Sequence, residues 1–417
     1  MRSDQQQAIN RLAGTSATAF LCAVLCVYPL YIDKFSNLGV TKFTGCFTLF
    51  LLFLLWLVAC TAIGARAPRP RNANAGRDVT LWGVLAFAGT SLISTFTSLS
   101  PTASTWGLGG YYGGLMLVLF TAAGYWAVRS YLDLENLDFV FWVLGITTSI
   151  VAVLYVLNIF NIDLIGAYAD TAVVERAQFF STLGQKDFNG CFFSVALPIV
   201  FYQFLNAKDT RTAVWTGIPA AFGALALAVV DSEALALGIG AALLPLETAV
   251  MVLVCHKNFT TRHLRRAVLI SAAFFGWAAW MHYMRASVYT QGGTALLAKL
   301  GAWQVALPCM AASLLLWLVL FVLAHKGIAA QAPLYLPGRV ITIAVLAVGA
   351  LAFVLANAMP NLPLPESLHN LLVFNDDWGT YRGVAWRAAF GTWADGSLLR
   401  KIVGIGPGMM HTAVAAW

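Results

Sequence analysis

The chain has 417 residues, of which 60% are hydrophobic and only 10% are charged, and its formal net charge is +7. Soluble globular domains carry about a quarter charged residues. This composition therefore excludes an ordinary soluble enzyme, a disordered chain and a disulfide-stapled secreted module.

Apolar runs of bilayer length, which is about 20 residues for a helix, recur along the chain. Residues 43–64 contain no charged side chain, and residues 298–324 contain only Lys299. These runs predict eleven transmembrane helices, at residues 15–32, 43–64, 79–98, 111–128, 139–158, 190–206, 213–230, 234–255, 267–281, 300–324 and 339–357. The sequence therefore predicts an all-α polytopic membrane protein, with a transmembrane domain over residues 1–357 and the start of a large extracytoplasmic loop over residues 358–417.

The distribution of basic residues predicts which side of the membrane each loop faces. With the N-terminus inside, the inside loops carry fifteen Lys and Arg residues and the outside loops carry six. Because cytoplasmic loops are enriched in Lys and Arg, we expect a multi-pass protein of the cell membrane with a cytoplasmic N-terminus and an extracytoplasmic segment 358–417. The inside basic clusters also suit contact with anionic membrane lipid.

The signature motifs of nucleotide- and metal-dependent proteins are absent from the sequence. It has no GxxxxGK[ST], no HExxH and no GxGxxG that opens a helix after a strand. The seven cysteines lie within or at the ends of predicted spans and form no CxxC pair, which is typical of packing. No aromatic residues are interleaved with the basic clusters, as a nucleic-acid surface would need. We therefore predict no metal, no cofactor and no nucleic-acid partner.

The outside loop at residues 98–114 combines glycine and tyrosine without any charge. It reads Ser-Leu-Ser-Pro-Thr-Ala-Ser-Thr-Trp-Gly-Leu-Gly-Gly-Tyr-Tyr-Gly-Gly. Glycines and aromatic residues at a membrane interface suit close helix approach and an aromatic belt. They also suit a surface on which a sugar ring stacks, and the sequence leaves both interpretations open.

The next outside loop, at residues 159–189, is longer and charged. Arg176 and Lys186 flank a Ser-Thr-Leu-Gly turn that precedes an apolar run, and Asn189 is placed to cap the helix that follows. An arginine at this position could clamp a phosphate with two parallel hydrogen bonds. It could equally be a solvated charge paired with Glu175, and the spacing alone does not decide between the two.

The segment after the last predicted span contains a second arginine motif. The sequence predicts an amphipathic helix lying in the outer membrane interface, because one helix face is apolar and consists of Trp386, Ala389, Phe390 and Trp393. Arg382 lies on that same face, where a guanidinium needs an anionic partner, whereas Arg387 lies to one side and could be solvated. The Gly404-Ile-Gly406-Pro407-Gly408 stretch that follows is either a plain turn or a phosphate nest.

The two arginine motifs carry a resemblance to a known family. The sequence resembles the O-antigen ligase family, a multi-span superfamily that also holds O-antigen and capsule polymerases. Members typically show an Arg before a Thr-x-Gly-Asn-Pro-Asn type loop that opens a span, then a Gly-x-x-Arg-Gly-x-x-Trp segment and a Gly-x-Gly-Pro turn. The matching residues here are Arg176 with Ser181 to Asn189, Gly379-Thr-Tyr-Arg382-Gly383-Val-Ala-Trp386, and Gly404-Ile-Gly406-Pro407. The Arg-Gly form is more like the Gram-positive members.

The resemblance implies a metal-independent membrane glycosyltransferase. Such an enzyme passes a glycan from an undecaprenyl-diphosphate-linked donor to a hydroxyl of a carbohydrate or glycolipid acceptor on the outer face of the membrane. Arg176 and Arg382 match the family arginines that bind the diphosphate, and Lys186 and Arg387 are secondary candidates beside them. An arginine can neutralise the charge that develops on a diphosphate leaving group without a metal ion.

Three features depart from the family pattern. Gln185-Lys186-Asp187 replaces the usual Asn-Pro before Asn189, and the loop at Gly107–Gly114 lacks the arginine that many relatives carry there. The family's essential histidine lies later in the outside loop, so we expect it beyond residue 417. His411 follows the Gly-Pro-Gly turn too closely to take its place. The sequence is therefore expected to be cut inside the catalytic loop, and as given it could be inactive.

Glu247 supports a different class of function. It lies beside Pro245 inside the eighth predicted span, and an ionisable residue in a membrane span is by default a functional candidate. It could couple ion movement in a transporter or in a flippase of lipid-linked glycans, or it could be a buried carboxyl that is protonated or paired with a neighbouring helix. A non-catalytic scaffold is the third alternative.

Overall fold

The described part of the chain is almost entirely helical. The computed structural model describes residues 2–65, 79–107, 112–132, 134–230, 232, 235, 259–288, 290, 300–327, 331–332, 335–359, 363–364, 368–369 and 372–415. The helices are α1 Arg2–Leu30, α2 Leu38–Ala62, α3 Val79–Phe96, α4 Pro101–Trp106, α5 Leu115–Tyr131, α6 Leu137–Ile159, α7 Lys186–Asn206, α8 Thr210–Val229, α9 Thr261–Ser287, α10 Trp303–His325, α11 Tyr335–Ala358, α12 Trp378–Ala394, α13 Leu398–Val403 and α14 Met410–Ala415.

The strands of the described residues are four two-residue segments in two antiparallel pairs. The first pair joins β1 (Phe179–Phe180) to β2 (Gly184–Gln185), with Phe180 opposite Gly184. The second joins β3 (Phe259–Thr260) to β4 (Gln331–Ala332). The first pair closes the loop between α6 and α7, whereas the second joins segments about seventy residues apart in the chain. Neither pair forms a core sheet.

Eight described helices are long and apolar enough to cross a membrane. They span Asp4–Leu30, Phe35–Ala62, Val79–Phe96, Leu137–Ile159, Lys186–Asn206, Thr210–Val229, Thr261–Ser287 and Trp303–His325. The predictions at 111–128 and 339–357 coincide with α5, which has 17 residues, and with α11, whose apolar part is Leu346–Ala358. The prediction at 234–255 lies outside the described residues except for Leu235. An all-α membrane protein is thus confirmed, whereas the number of eleven spans stays a prediction.

The ninth predicted span is longer than its apolar run. It was expected at residues 267–281, but α9 runs from Thr261 to Ser287. The six extra residues at its start include Arg266, which is buried and donates from Nη1 to the carbonyl oxygens of Leu205 at 2.9 Å and Ala207 at 2.6 Å. The last carbonyls of a helix have no partner within it. Arg266 supplies the missing donors at the end of α7. Its residue position therefore lies within the helix α9, although its side chain is charged.

The chain divides into two compact units. The first consists of Met1–Ala17, Lys42–Leu132 and Ile343–Trp417, and the second of Thr18–Thr41 and Asp133–Thr342. The predicted boundary at residue 357 concerns sides of the membrane, and it stays a prediction.

Small residues allow close helix packing in the second unit. A Cβ atom at Gly145 of α6 would lie 3.1 Å from the Cβ atom of Pro219 on α8. A Cβ atom at Gly223 of α8 would lie 2.9 Å from Cδ2 of Leu197 on α7. Trp277 of α9 donates from Nε1 to the carbonyl of Ala221 at 3.0 Å. Close approach through small residues is how helices associate in lipid, where the hydrophobic effect does not drive them together. These helices form the base on which the 160–185 loop is held.

Candidate functional site

Asn189 organises the loop between α6 and α7. Its side chain is fully buried, and its Nδ2 lies 3.1 Å from each of the carbonyl oxygens of Phe180, Gly184 and Gln185. The sequence suggested that Asn189 caps the following helix, but α7 begins at Lys186 and Asn189 lies inside its first turns. The prediction of a cap is therefore wrong. The amide instead satisfies the carbonyls of the β1–β2 hairpin, which would otherwise be buried without donors.

The tip of the hairpin is fixed by two further polar contacts. Ser181 has φ of +56°, and its Oγ donates to Oδ1 of Asn189 at 2.5 Å. Oδ1 of Asn158, near the end of α6, accepts from the backbone N–H of Ser181 at 2.7 Å. Gly184 has φ of +81°, and a Cβ atom there would collide with Cδ2 of Leu38. The Ser-Thr-Leu-Gly turn is thus held in one shape by side chains from both flanking helices.

Tyr168 provides the platform under Arg176. Its ring is buried and lies 5.4 Å from Cζ of Arg176, and its hydroxyl donates to the carbonyl of Phe179. The carboxylate of Asp163 accepts from the backbone N–H groups of Ala167 and Tyr168, both at 2.9 Å. A cation over an aromatic face is attracted to it, so Tyr168 restricts the positions that the guanidinium can take.

Two polar groups of this loop are buried without partners. Nε of Arg176 and Oγ1 of Thr182 are both inaccessible to solvent, and neither has a hydrogen-bond partner in the described part of the chain. Thr182 is 2% exposed. Arg176 forms no ion pair with any of these described residues. In particular, it is not paired with Glu175, the partner that the sequence suggested. Unpaired buried polar groups cost free energy, and such groups mark places where a ligand can supply the missing partner.

Other charges of the loop have structural roles. Lys34 Nζ lies 2.8 Å from Oδ2 of Asp170, and this hydrogen bond together with the charge of Asp170 raises the pKa of Lys34 above its ordinary value. Lys186 is exposed and is the first residue of α7. Asp187 accepts from Oγ of Ser232 at 2.8 Å. Lys186 therefore lies at the end of the loop that contains Arg176, whereas Asp187 forms a hydrogen bond with Ser232.

The second arginine motif lies on α12 in the first unit. Arg382 is exposed, and the next residue, Gly383, is buried where a Cβ atom would collide with the carbonyl oxygen of Asn375. Arg387, a secondary candidate, forms an ion pair with Asp376. The glycine of the Arg-Gly pair thus has a packing role. A helix is present where one was predicted, and its rings at Trp386, Phe390 and Trp393 are all more than half exposed. Its location in the outer membrane interface stays a prediction.

The two glycine-rich segments of the first unit pack against each other. Gly406 has φ of +107°, and a Cβ atom there would collide with Oγ of Ser104 and lie 3.0 Å from Oγ of Ser98. A Cβ atom at Gly408 would lie 3.2 Å from Cα of Gly107. In the sequence, the 98–114 loop and the Gly404–Gly408 stretch gave no sign that they are in contact. Their joining supports the interpretation that the 98–114 loop serves close backbone packing. Tyr112 of this loop stacks on Phe43 at 4.6 Å, and residues 108–111 lie outside the description.

The chain matches no known family model, no curated protein and no solved structure.

The candidate residues fall in three places. Arg176 and Lys186 belong to the second unit, and Arg382 and Arg387 belong to the first. Glu247 lies outside the described residues. His411 is exposed on α14. Within the described ranges, no group of three or more His, Cys, Asp or Glu side chains is arranged to hold a metal ion.

Sequence reasoning missed three residues of the Arg176 loop. No role was assigned to Tyr168, Thr182 or Asn158, because the contacts of Tyr168 and Asn158 reach residues further along the chain and the burial of the Thr182 hydroxyl is a property of the fold. The bond from Ser181 to Asn158, for example, spans 23 residues. The only available signal was the density of Asn, Ser and Thr in an otherwise apolar chain.

Proposed function

We propose that the chain is a glycosyltransferase of the cell membrane that uses an undecaprenyl-diphosphate-linked glycan as its donor. The glycan passes to a hydroxyl of a carbohydrate or glycolipid acceptor on the outer face, in cell-surface polysaccharide ligation or polymerisation. In this proposal the N-terminus is cytoplasmic, and the Arg176 loop and residues 358–417 face the outside. The family resemblance described above supports it.

The observation that carries the proposal is the state of Arg176. Its guanidinium is positioned over Tyr168, and its buried Nε has no partner among the described residues. A diphosphate can supply the missing acceptor, because phosphate oxygens take two parallel hydrogen bonds from one guanidinium. Thr182 Oγ1 belongs to the same loop and is a second unused donor. These groups match an anionic ligand better than a neutral one.

The chemistry follows from the charge that develops during transfer. When the glycosidic bond to the carrier breaks, negative charge accumulates on the leaving diphosphate. A cation that is already in place stabilises this charge without the cost of reorganising at the moment of reaction. Arg176 meets this requirement because Tyr168 and the pinned hairpin restrict its motion. Arg382 is the proposed second arginine and Lys186 a supporting cation. The general base is not assigned to any residue.

Binding of undecaprenyl diphosphate tests the proposal directly. We expect Arg176→Ala in the full chain, purified in detergent, to weaken binding about tenfold or more, since hydrogen bonds to charged groups contribute about 1.5–3 kcal/mol and about 1.4 kcal/mol is tenfold. Arg176→Lys should recover only part of the affinity, because an ammonium lacks the planar fork.

Glu175→Gln is the matched control, since it changes an exposed charge in the same turn and leaves the guanidinium in place. Wild-type affinity in Arg176→Ala would refute the role of Arg176. A loss in Arg176→Ala that Glu175→Gln reproduces would mean that the turn, and not the guanidinium, is responsible.

A further inference from the structure

A separate apolar groove lies between α6 and α8 in the second unit. Its volume is about 240 Å³, and its walls are Trp142, Ile146 and Ile150 on α6 and Trp215, Ile218 and Pro219 on α8. Ser149 also lines the groove, but its hydroxyl already donates to the carbonyl of Gly145 at 2.9 Å. The walls of the groove are therefore almost entirely apolar.

The groove has a physical cause in the sequence. Gly145 and Pro219 bring the two backbones close together, so that no side chain fills the crevice beside their contact. Trp142 on one helix and Trp215 on the other line this crevice, and both side chains remain partly exposed. Pockets for drug-sized molecules usually measure about 300–1,000 Å³. This groove is smaller, and its shape suits part of a single acyl chain.

One charged residue of each sign lies about one helical turn before a tryptophan of the groove. Asp138 is four residues before Trp142 on α6, and Arg211 is four residues before Trp215 on α8, so each lies on the face of its tryptophan. In the described part of the chain neither side chain forms an ion pair. Tryptophan is enriched where a helix meets the lipid headgroups. The charges are therefore at headgroup depth.

Three other charged side chains near this end have structural contacts. The carboxylate of Asp209 accepts from the backbone N–H and the hydroxyl of Thr212, both at 2.8 Å. Arg262 donates to the carbonyl of Lys208 at 3.3 Å, and Arg266 binds the end of α7. A headgroup at the groove would meet one accessible carboxylate and one accessible guanidinium.

We propose that this groove binds a phospholipid with a phosphoethanolamine headgroup. One acyl chain lies between Trp142 and Trp215, the phosphate pairs with Arg211, and the ammonium pairs with Asp138. The pair of opposite charges selects a zwitterionic headgroup that carries a primary amine. A glycerol headgroup has no cation for Asp138, and a choline headgroup cannot donate a hydrogen bond to it. This site is independent of the proposed transferase activity and lies on other residues.

Native mass spectrometry of the full chain tests the proposal. The protein is released from micelles that contain equal amounts of dioleoyl phosphatidylethanolamine, phosphatidylglycerol and phosphatidylcholine. We expect the wild type to retain the ethanolamine lipid about two- to fivefold over the others, the range expected for one exposed ion pair. Asp138→Asn should abolish this preference, and Arg211→Gln should lower retention of all three lipids.

Two further variants separate the groove from general lipid binding. Ile146→Trp fills the groove and should lower retention of every lipid, whereas Arg400→Gln, in the other unit, should leave the wild-type pattern unchanged. Circular dichroism and monodisperse elution establish that each variant is folded. Equal retention of the three lipids by the wild type, or an unchanged preference in Asp138→Asn, would overturn the proposal.

Discussion

Asn189→Ala would remove the side chain that holds the Arg176 loop in place. The amide nitrogen can donate two hydrogen bonds, and it has three carbonyl oxygens within 3.1 Å, while Oδ1 accepts one from Ser181. Three hydrogen bonds are thus lost, and each contributes about 1 kcal/mol net when buried. We expect the free energy of unfolding to fall by about 3 kcal/mol.

Asn189→Asp sharpens the prediction because it keeps the size and the acceptor for Ser181. It replaces the donor nitrogen by an oxygen that would face the carbonyls of Phe180, Gly184 and Gln185. Repulsion between these oxygens should make the aspartate at least as destabilising as alanine. Loss of hydrogen bonding, and not loss of volume, would then explain the effect.

The assay is reversible unfolding in mixed dodecylmaltoside and SDS micelles, followed by tryptophan fluorescence. Gln178→Ala, which removes an exposed amide from the same loop, is the control and should stay within about 0.5 kcal/mol of wild type. Hydrogen exchange at the amide of Ser181 should accelerate in both Asn189 variants. If Asn189→Ala were as stable as Gln178→Ala, the argument that Asn189 pins the hairpin would fail.

Two further predictions concern the packing of the first unit and a helix cap in the second. Gly406→Ala should lower the free energy of unfolding by about 1–2 kcal/mol because its backbone is left-handed, and by more because the new Cβ atom collides with Ser104. Ser104→Gly should therefore recover part of the loss in a double-mutant cycle. Strictly additive effects of the two substitutions would argue against the contact. Asp209, which caps α8, has its pKa lowered by the N–H and hydroxyl of Thr212, so its stabilising contribution is present above the pKa of the unfolded state and is lost as pH falls through the lower folded pKa. Asp209→Asn should flatten the pH dependence of the unfolding midpoint in this acidic range, and an unchanged profile would contradict the cap.

The positions of the apolar helices could be predicted from the sequence, but their ends could not. Ten of the eleven predicted spans coincide with helices because long apolar runs have few other stable states in lipid. The start of α9 was missed because the arginines there interrupt the apolar run. Arg266 donates to carbonyls some sixty residues earlier in the chain. A local sequence pattern cannot show such a distant partner.

The candidate site shows the same division between local and distant information. Arg176 was singled out because of its residue type and its distance from a turn, which a sequence displays. The role of Asn189 was assigned wrongly because a cap is a local structure, and the actual contacts reach back to Phe180. The packing of Gly406 on Ser104 joins segments some three hundred residues apart, so the function of these glycines depends on the fold.

Arg266 also has a consequence for the order in which the protein is assembled. The carbonyls of Leu205 and Ala207 are synthesised about sixty residues before the guanidinium that satisfies them. During synthesis, α7 and α8 therefore reach the insertion machinery with one helix end still in need of water or headgroup contacts. These two carbonyls can accept from Arg266 only after the start of α9 has been synthesised. Arg266, which lies near the start of α9, thus completes a helix made earlier.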